Sequence, residues 1–199
     1  MVQWCRLTVV PRVGLTPDLI VVAAATLADR DGLDRVTVSA VARLVGVKPA
    51  SVYAHLDGAD DLLGRVTQLA LEEMAERAAD AVSGRSGRDA LAAWAQAFRT
   101  YAFAHPGRYA ASHRPLGRAE ALAGAGPRHT ALSASILRGY DVPEVDHVHA
   151  VRLLGATIHG FLDLEAAGSF DHSAPPAADS WPRVVDALDA VLRSWPIGR

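Results

Sequence analysis

The sequence predicts an all-helical protein with a small helix-turn-helix unit near its N-terminus, and three observations carry that prediction. Apolar residues recur at helical spacing in segment after segment, caps and stops bound those segments, and nowhere in the 199 residues does hydrophobicity alternate as in a strand. No internal repeat divides the chain.

The elements follow in order. Thr16-Pro17-Asp18 opens the first helix with a hydroxyl cap, a proline at the first helical position and an acid in the positive first turn. It runs to about Asp31, with Gly32 as its stop. "TVSAVARLV" follows from Thr37 and stops at Gly46, and Pro49 starts a short helix ending near His55. None of these helices is long enough to stand alone, so they must share a core. Asp57-Gly58 then breaks the chain before a long helix from about 58 to 82, whose Leu62, Leu63, Val66, Leu69 and Ala70 form a stripe. "SGRSG" at 83–87 is a linker, and further helices are expected at 88–104, 106–112, 127–139, 143–167 and 180–194. "RPLGRAEALAGAG" (114–126) and "SFDHSAPPAAD" (169–179) are expected to be loops.

Composition narrows the function. Hydrophobic content of 50% with 21% charged residues belongs to a folded chain. The formal net charge is −2, and residues 1–65 carry seven basic and seven acidic side chains, so any nucleic-acid surface must be local. Cys5 is the sole cysteine, which excludes an intrachain disulfide and a thiolate metal cluster and fits a reducing cytoplasm. The longest apolar run, 19–28, is far short of the ~20 residues that cross a bilayer. "MVQWCRLTVV" lacks the pattern of a signal peptide.

The informative stretch is "ARLVGVKPASVYAHL" at 42–56, which contains Lys48, the only lysine in the chain. Val38, Val41, Ala42, Val45, Val47 and Val52 form an apolar set, with small Ala42 where two helices cross and Gly46 in the turn. Lys48, Pro49, Ala50, Ser51, Tyr53 and His55 are left outside that set. A helix N-terminus with an adjacent ammonium is suited to phosphates, and Ser51, Tyr53 and His55 add neutral donors. Lys48, Pro49 and Ala50 stand where base edges would lie. The competing reading is a similar corner inside an ordinary helical bundle, with Tyr53 buried and Lys48 merely solvated.

Residues 15–63 resemble the N-terminal domain of the tetracycline-repressor-like (TetR) family, most specifically through "GVKPASVYAHL". By that match Thr37 and Ser39 approach DNA from the helix before the turn, Lys48, Pro49 and Ala50 face bases, and Ser51, Tyr53 and His55 face phosphates. Where the family commonly has a phosphate-touching lysine, this chain has Ala59, flanked by Asp57, Asp60 and Asp61. "YAFAHPGRYAAS" (101–112) and "GATIHGFLDLEAAGSF" (155–170) resemble one regulatory-domain branch of the same family. The resemblance implies an arm at 1–14, a helix-turn-helix DNA-binding domain at 15–63, and a larger helical effector-binding and dimerisation domain at 64–199. "VPRVGLTPD" at 10–18 is similar to the usual start of such proteins, so residues 1–9 are read as an over-extended start, with Val10 the initiator and Arg12 on an arm that reaches a neighbouring groove.

In the C-terminal part, Trp94, Phe98 and Tyr101 share one helix face, a pattern of plain core or of a pocket wall. The resemblance sets that helix beside the one carrying Arg152, His159 and Phe161, which makes these six the expected effector residues. Trp181, Val184, Val185, Leu188, Val191, Leu192 and Trp195 form a stripe along the last helix, expected at a four-helix dimer interface or else packed within the chain. His147 and His149 are two apart, a poor spacing for shared zinc ligation, and no phosphate loop or nucleophile motif is present. The expectation is therefore a non-enzymatic, cytoplasmic, ligand-responsive repressor without metal or cofactor. Its partners are a double-stranded DNA operator, a small-molecule effector and a second copy of itself, with no membrane. The alternative is a helical small-molecule or protein-binding module that no longer engages DNA.

Overall fold

The computed structural model describes residues 14–196, and these are helical with short connections. The expectations for the arm, for Val10 as initiator and for Arg12 lie outside the described residues.

Four helices build the N-terminal unit: α1 (Pro17–Asp31), α2 (Val38–Leu44), α3 (Pro49–Tyr53) and α4 (Ala59–Val82), with a 3-10 turn at Leu33–Arg35 after α1. The Thr16 hydroxyl oxygen accepts from the Leu19 N–H at 3.2 Å, as the cap motif requires. Ile20, Ala24, Ala28, Val41, Val52, Leu62 and Val66 close one core between these helices. α4 is long enough to enter a second core, where its Met74 and Ala78 meet α5 (Gly87–Ala104), α8 (Gly126–Leu137), α9 (His147–Ala166) and α10 (Ala177–Arg193).

Between the two cores lies α6 (Pro106–Ser112), which contributes Ala111 to the first and Tyr109 to the second. The buried Thr67 hydroxyl on α4 donates to the Ala111 carbonyl oxygen at 3.0 Å. α6 approaches α1 so closely that only glycine fits at 107: a Cβ there would stand 2.0 Å from the Ala28 carbonyl carbon and 2.5 Å from the Asp29 nitrogen.

Three expectations need correction. The segment expected to be a loop at 114–126 contains α7 (Arg118–Ala123). "RAEALA" is made of strong helix formers, and the Glu120 carboxylate accepts from the Gly117 N–H at 2.9 Å, closing the helix start despite the flanking glycines. α3 ends at Tyr53, so His55 falls in the following turn, its N–H donating to the Val52 carbonyl oxygen at 2.9 Å. The stripe on α10 is occupied within its own chain: Trp181, Val185, Leu188 and Leu192 are buried in the second core, and Val184 and Trp195 pack against it half-buried. The Trp181 indole N–H donates to Gln96 on α5 at 3.1 Å and the Trp195 indole N–H to Asp146 at 3.3 Å. Of that set Val191 remains exposed. A helical stripe must be covered, and here α5 and α9 of the same chain cover it.

Replacing Gly107 by alanine overpacks the α1–α6 contact and is expected to cost about 1–3 kcal/mol. Gly64→Ala, in open space on α4, is expected to gain about 1 kcal/mol. Thermal melts read both, and a Gly107→Ala protein that melts with wild type would mean the two helices are not in contact.

Candidate functional site

The helix-turn-helix corner is built from α2, a turn and α3. Thr37 caps α2 in an extended conformation, its hydroxyl oxygen accepting from the Ala40 N–H at 3.1 Å. The turn uses Gly46 at φ +74° and closes through the Val47 N–H to the Ala42 carbonyl oxygen at 2.9 Å. Val41, Ala42 and Val52 are sealed below this corner. Thr37, Ser39, Lys48, Pro49, Ala50, Ser51 and Tyr53 are all exposed above it, Tyr53 at 57%, and His55 is half-buried. The alternative in which Tyr53 is a core residue is therefore not the one the chain adopts.

The donors of this corner differ from the sequence expectation. Pro49 has no N–H, and the Ser51 N–H already donates to the Lys48 carbonyl oxygen at 2.9 Å, so little of the bare helix end is left for an anion. Side chains supply the donors instead: the Lys48 ammonium, the Ser51 and Tyr53 hydroxyls and the His55 imidazole.

Formal neutrality of the N-terminal region conceals a segregation of charge. Asp29 is held by Arg108 and His105 of the α6 segment, Asp31 by Arg30 at 2.7 Å, and Asp61 by Arg65 at 2.8 Å, whose hydrogen bond holds the Asp61 carboxyl below its usual range. Among the described residues Lys48, Arg35 and Arg43 make no ion pair. Arg30, Arg35 and Arg43, with Asp31 paired to the first of them, line one concavity of about 650 Å³ along α1 and α2. Asp57, Asp60, Asp61, Glu72 and Glu120 line another of about 720 Å³ at the start of α4, with Arg65 and Arg114. Sequence reasoning missed Arg35 and Arg43. The available signal was that Arg43 lies one turn after Ser39 on the same exposed face of α2.

The six expected effector residues divide into separate groups. Trp94, Phe98 and His159 come together, with ring centroids 4.9 Å apart for Trp94–Phe98 and 5.6 Å for Phe98–His159. Tyr101 is fully buried elsewhere, its hydroxyl donating to Glu73 at 2.8 Å and the Arg77 guanidinium 4.8 Å from its ring centre. Phe161 packs on Phe170 and Trp181, and Arg152 is exposed on α9. The first group gains two α6-segment residues that the sequence reading did not name, Tyr109 and His113. The Tyr109 hydroxyl is 2.7 Å, and His113 Nε2 3.2 Å, from His159 Nδ1. Their spacing of four residues, one helical turn, was the signal.

Among the described residues no group of three or more His, Cys, Asp or Glu side chains is arranged to hold a metal ion, and no helix is long and apolar enough to cross a membrane.

An outward polar helix tip on a sealed helix-turn-helix, carried by a larger helical body, defines a DNA-binding regulator. The family comparisons agree. Residues 20–66 match the model of the bacterial regulatory proteins of the tetR family, and residues 91–188 match the tetracyclin repressor-like C-terminal domain. The chain belongs to the TetR family of transcriptional regulators. A helix-turn-helix-type transcriptional regulator of Mycobacterium tuberculosis is 33% identical over 165 residues, covering 79% of this chain and 73% of that protein. One from Bacillus subtilis is 32% identical, covering 81% and 84%. Among solved structures, a Rhodococcus sp. RHA1 protein superposes with a TM-score of 0.74 at 22% identity, over 94% of this chain and 100% of that one. A TetR variant from Acinetobacter baumannii, in complex with minocycline, gives 0.70 at 19% identity, over 93% and 100%. At these identities the two structures speak for the fold.

Burial, with the imidazoles of His113 and His129 nearby, pushes His159 down to about 4. The unfolded chain therefore takes up a proton near pH 6.5 that the folded chain refuses. Stability from this group is present above about pH 6.5 and is lost as the pH falls from there through 4. Melting temperatures measured across that window should decline in wild type and decline less in His159→Phe. Imidazole NMR should find His159 still neutral at pH 5.5, and a midpoint near 6.5 would contradict the burial argument.

Proposed function

We propose that this regulator is a ligand-responsive repressor that acts in the cytoplasm as a homodimer on a palindromic operator and catalyses no reaction. The observation that carries the reading is the solvent-facing set Thr37, Ser39, Lys48, Pro49, Ala50, Ser51 and Tyr53, with His55 at its edge, on a corner whose Val38, Val41, Ala42 and Val52 are enclosed. α3 enters the major groove. Lys48, Pro49 and Ala50 meet base edges, and Thr37, Ser39, Ser51, Tyr53 and His55 grip the backbone on either side. Two subunits set their tips about 34–36 Å apart, one helical turn of DNA.

The surface for the second copy is the uncovered side of α9. Leu153 and Leu164, on one flank of that helix, are exposed there, and Val191 is exposed on α10. Large apolar side chains left bare on two helices support a partner of like composition, and a two-fold axis brings the same patch to itself.

The effector acts through α6. One end of this seven-residue helix is seated on α1 through Gly107 and Arg108, and the other meets His159 of α9 through Tyr109 and His113. A molecule bound between α5 and α9 displaces the second contact and tilts the first, so the reading heads lose their spacing. A differential affinity of ~1–3 kcal/mol between the two arrangements changes operator affinity about 5–150-fold.

The test is duplex binding by fluorescence anisotropy over a range of salt, using the gene's own upstream DNA and a scrambled duplex. Wild type should bind the first with an affinity that falls steeply with salt. Tyr53→Phe should weaken both duplexes alike, and Lys48→Ala should narrow the preference between them, each by ~5–30-fold for a loss of about 1–2 kcal/mol. Two variants that bind as wild type does would overturn the role assignment. Absence of any specific complex would favour a module that has left DNA behind, for which the acidic start of α4 around Ala59 is the supporting feature. In sedimentation, Leu153→Glu with Leu164→Glu should convert a dimer to a monomer, and a wild-type monomer would refute the homodimer.

A further inference from the structure

The group formed by Trp94, Phe98, Tyr109, His113 and His159 has an unbalanced hydrogen-bond inventory. Trp94 is 5% exposed, and among the described residues its indole Nε1–H has no acceptor. A buried donor left without a partner is costly and calls for an explanation. The imidazole of His159 lies between the rings of Phe98 and Tyr109, each with its centroid 5.6 Å away. Its Nδ1 faces the Tyr109 hydroxyl at 2.7 Å and His113 Nε2 at 3.2 Å. The Tyr109 proton is satisfied when Nδ1 accepts, which leaves the His159 proton on Nε2 as a second donor. Beside that edge of the ring stands Gly155, whose missing Cβ would lie 3.9 Å from His159 Cδ2, so no side chain from the preceding turn fills the space. The site reaches solvent at His113 and Asp163, whose side chains are 35% and 55% exposed.

We propose that this site takes a planar, largely apolar molecule that presents an acceptor oxygen, a carbonyl or a carboxylate, to Trp94 Nε1–H and His159 Nε2–H. The inference rests on the effector reading above and names the chemistry of its ligand. Aromatic walls select a flat apolar body, and the two unspent donors at its inner end select an acceptor oxygen there, while the Asp163 carboxylate stands at the solvent mouth beside His113. The molecule enters between α6 and α9 at His113 and displaces the Tyr109–His159 contact.

The experiment follows the indole N–H resonances of the intact protein by NMR, with the Trp94 signal assigned from Trp94→Phe. Four probes are titrated: salicylate, acetophenone, ethylbenzene and benzylamine. Salicylate, acetophenone or both should shift the Trp94 resonance and bind at least ten-fold tighter than ethylbenzene and benzylamine, the first alone indicating a carboxylate and the second a neutral carbonyl. Trp94→Phe keeps the ring and removes the donor, and His159→Gln keeps a side-chain donor in place of the ring. Cooperative melting checks the fold of both. The first variant should reduce binding of the oxygen-bearing probes at least ten-fold, and the second should retain more of it than His159→Leu. Ethylbenzene binding here as tightly as the oxygen-bearing probes, or unchanged binding in Trp94→Phe, would overturn the proposed chemistry while leaving an effector site in place. No shift of the Trp94 signal with any probe would overturn both.

Discussion

The geometry of the whole molecule depends on the seat of α6 against the end of α1. Asp29 receives the Arg108 backbone N–H at 2.9 Å, and Arg108 Nε lies 3.0 Å from its other oxygen, a contact of charge rather than an aligned hydrogen bond. His105 adds Nδ1 at 3.2 Å, and because Arg77 of α4 donates to its Nε2 at 3.1 Å, the imidazole proton sits on the Asp29 side. Arg108 also reaches Glu73 of α4 at 3.0 Å, where Tyr101 of α5 donates as well. Burial and that hydrogen bond raise the Tyr101 hydroxyl well above its usual range, so it stays a donor. Four helices thus share one mostly buried set of charges over a glycine contact that admits no side chain. Such a set adds little net stability compared with an apolar substitute, yet removing one member strands the rest. Its contribution is to fix one orientation of α1, and so of α2 and α3, relative to the larger body.

Much of this was legible in the sequence because punctuation and periodicity are local. Thr16-Pro17, Gly32, Thr37, Gly46 and Pro49 mark helix ends that the structure reproduces within a residue or two. The division of the 38–55 segment into enclosed Val41, Ala42 and Val52 and exposed Lys48, Ser51 and Tyr53 followed from spacing alone. What sequence could not supply was the identity of the neighbour. The stripe on α10 announced a covered face without saying that α5 and α9 of its own chain cover it. Trp94, Phe98 and Tyr101 share a face of α5, but that helix crosses several others, so positions less than one turn apart meet different surroundings: His159 near Phe98, Glu73 at Tyr101. α7 was lost because two glycines and a proline around "RAEALA" outweighed the residues between them.

Charge taught a similar lesson. Equal numbers of acids and bases in the first 65 residues leave room only for a local nucleic-acid surface, and three of the acids are matched to arginines or a histidine within the fold. Lys48, Arg35 and Arg43 stay outward, and of the acids that remain Asp57 and Asp60 lie at the start of α4, away from the helix-turn-helix tip. Local potential, rather than net charge, is what an approaching polyanion meets.

The central claim is that, in the homodimer proposed above, the α1–α6 seat sets the separation of the two helix-turn-helix tips. Pulsed electron-spin distance measurements test it most directly, with a label at Asp34→Cys in each subunit, in the exposed 3-10 turn after α1, and Cys5 replaced by serine. The account predicts a single narrow distance distribution that broadens or splits when Asp29 is replaced by alanine or Arg108 by methionine. Identical distributions in all three proteins would contradict it.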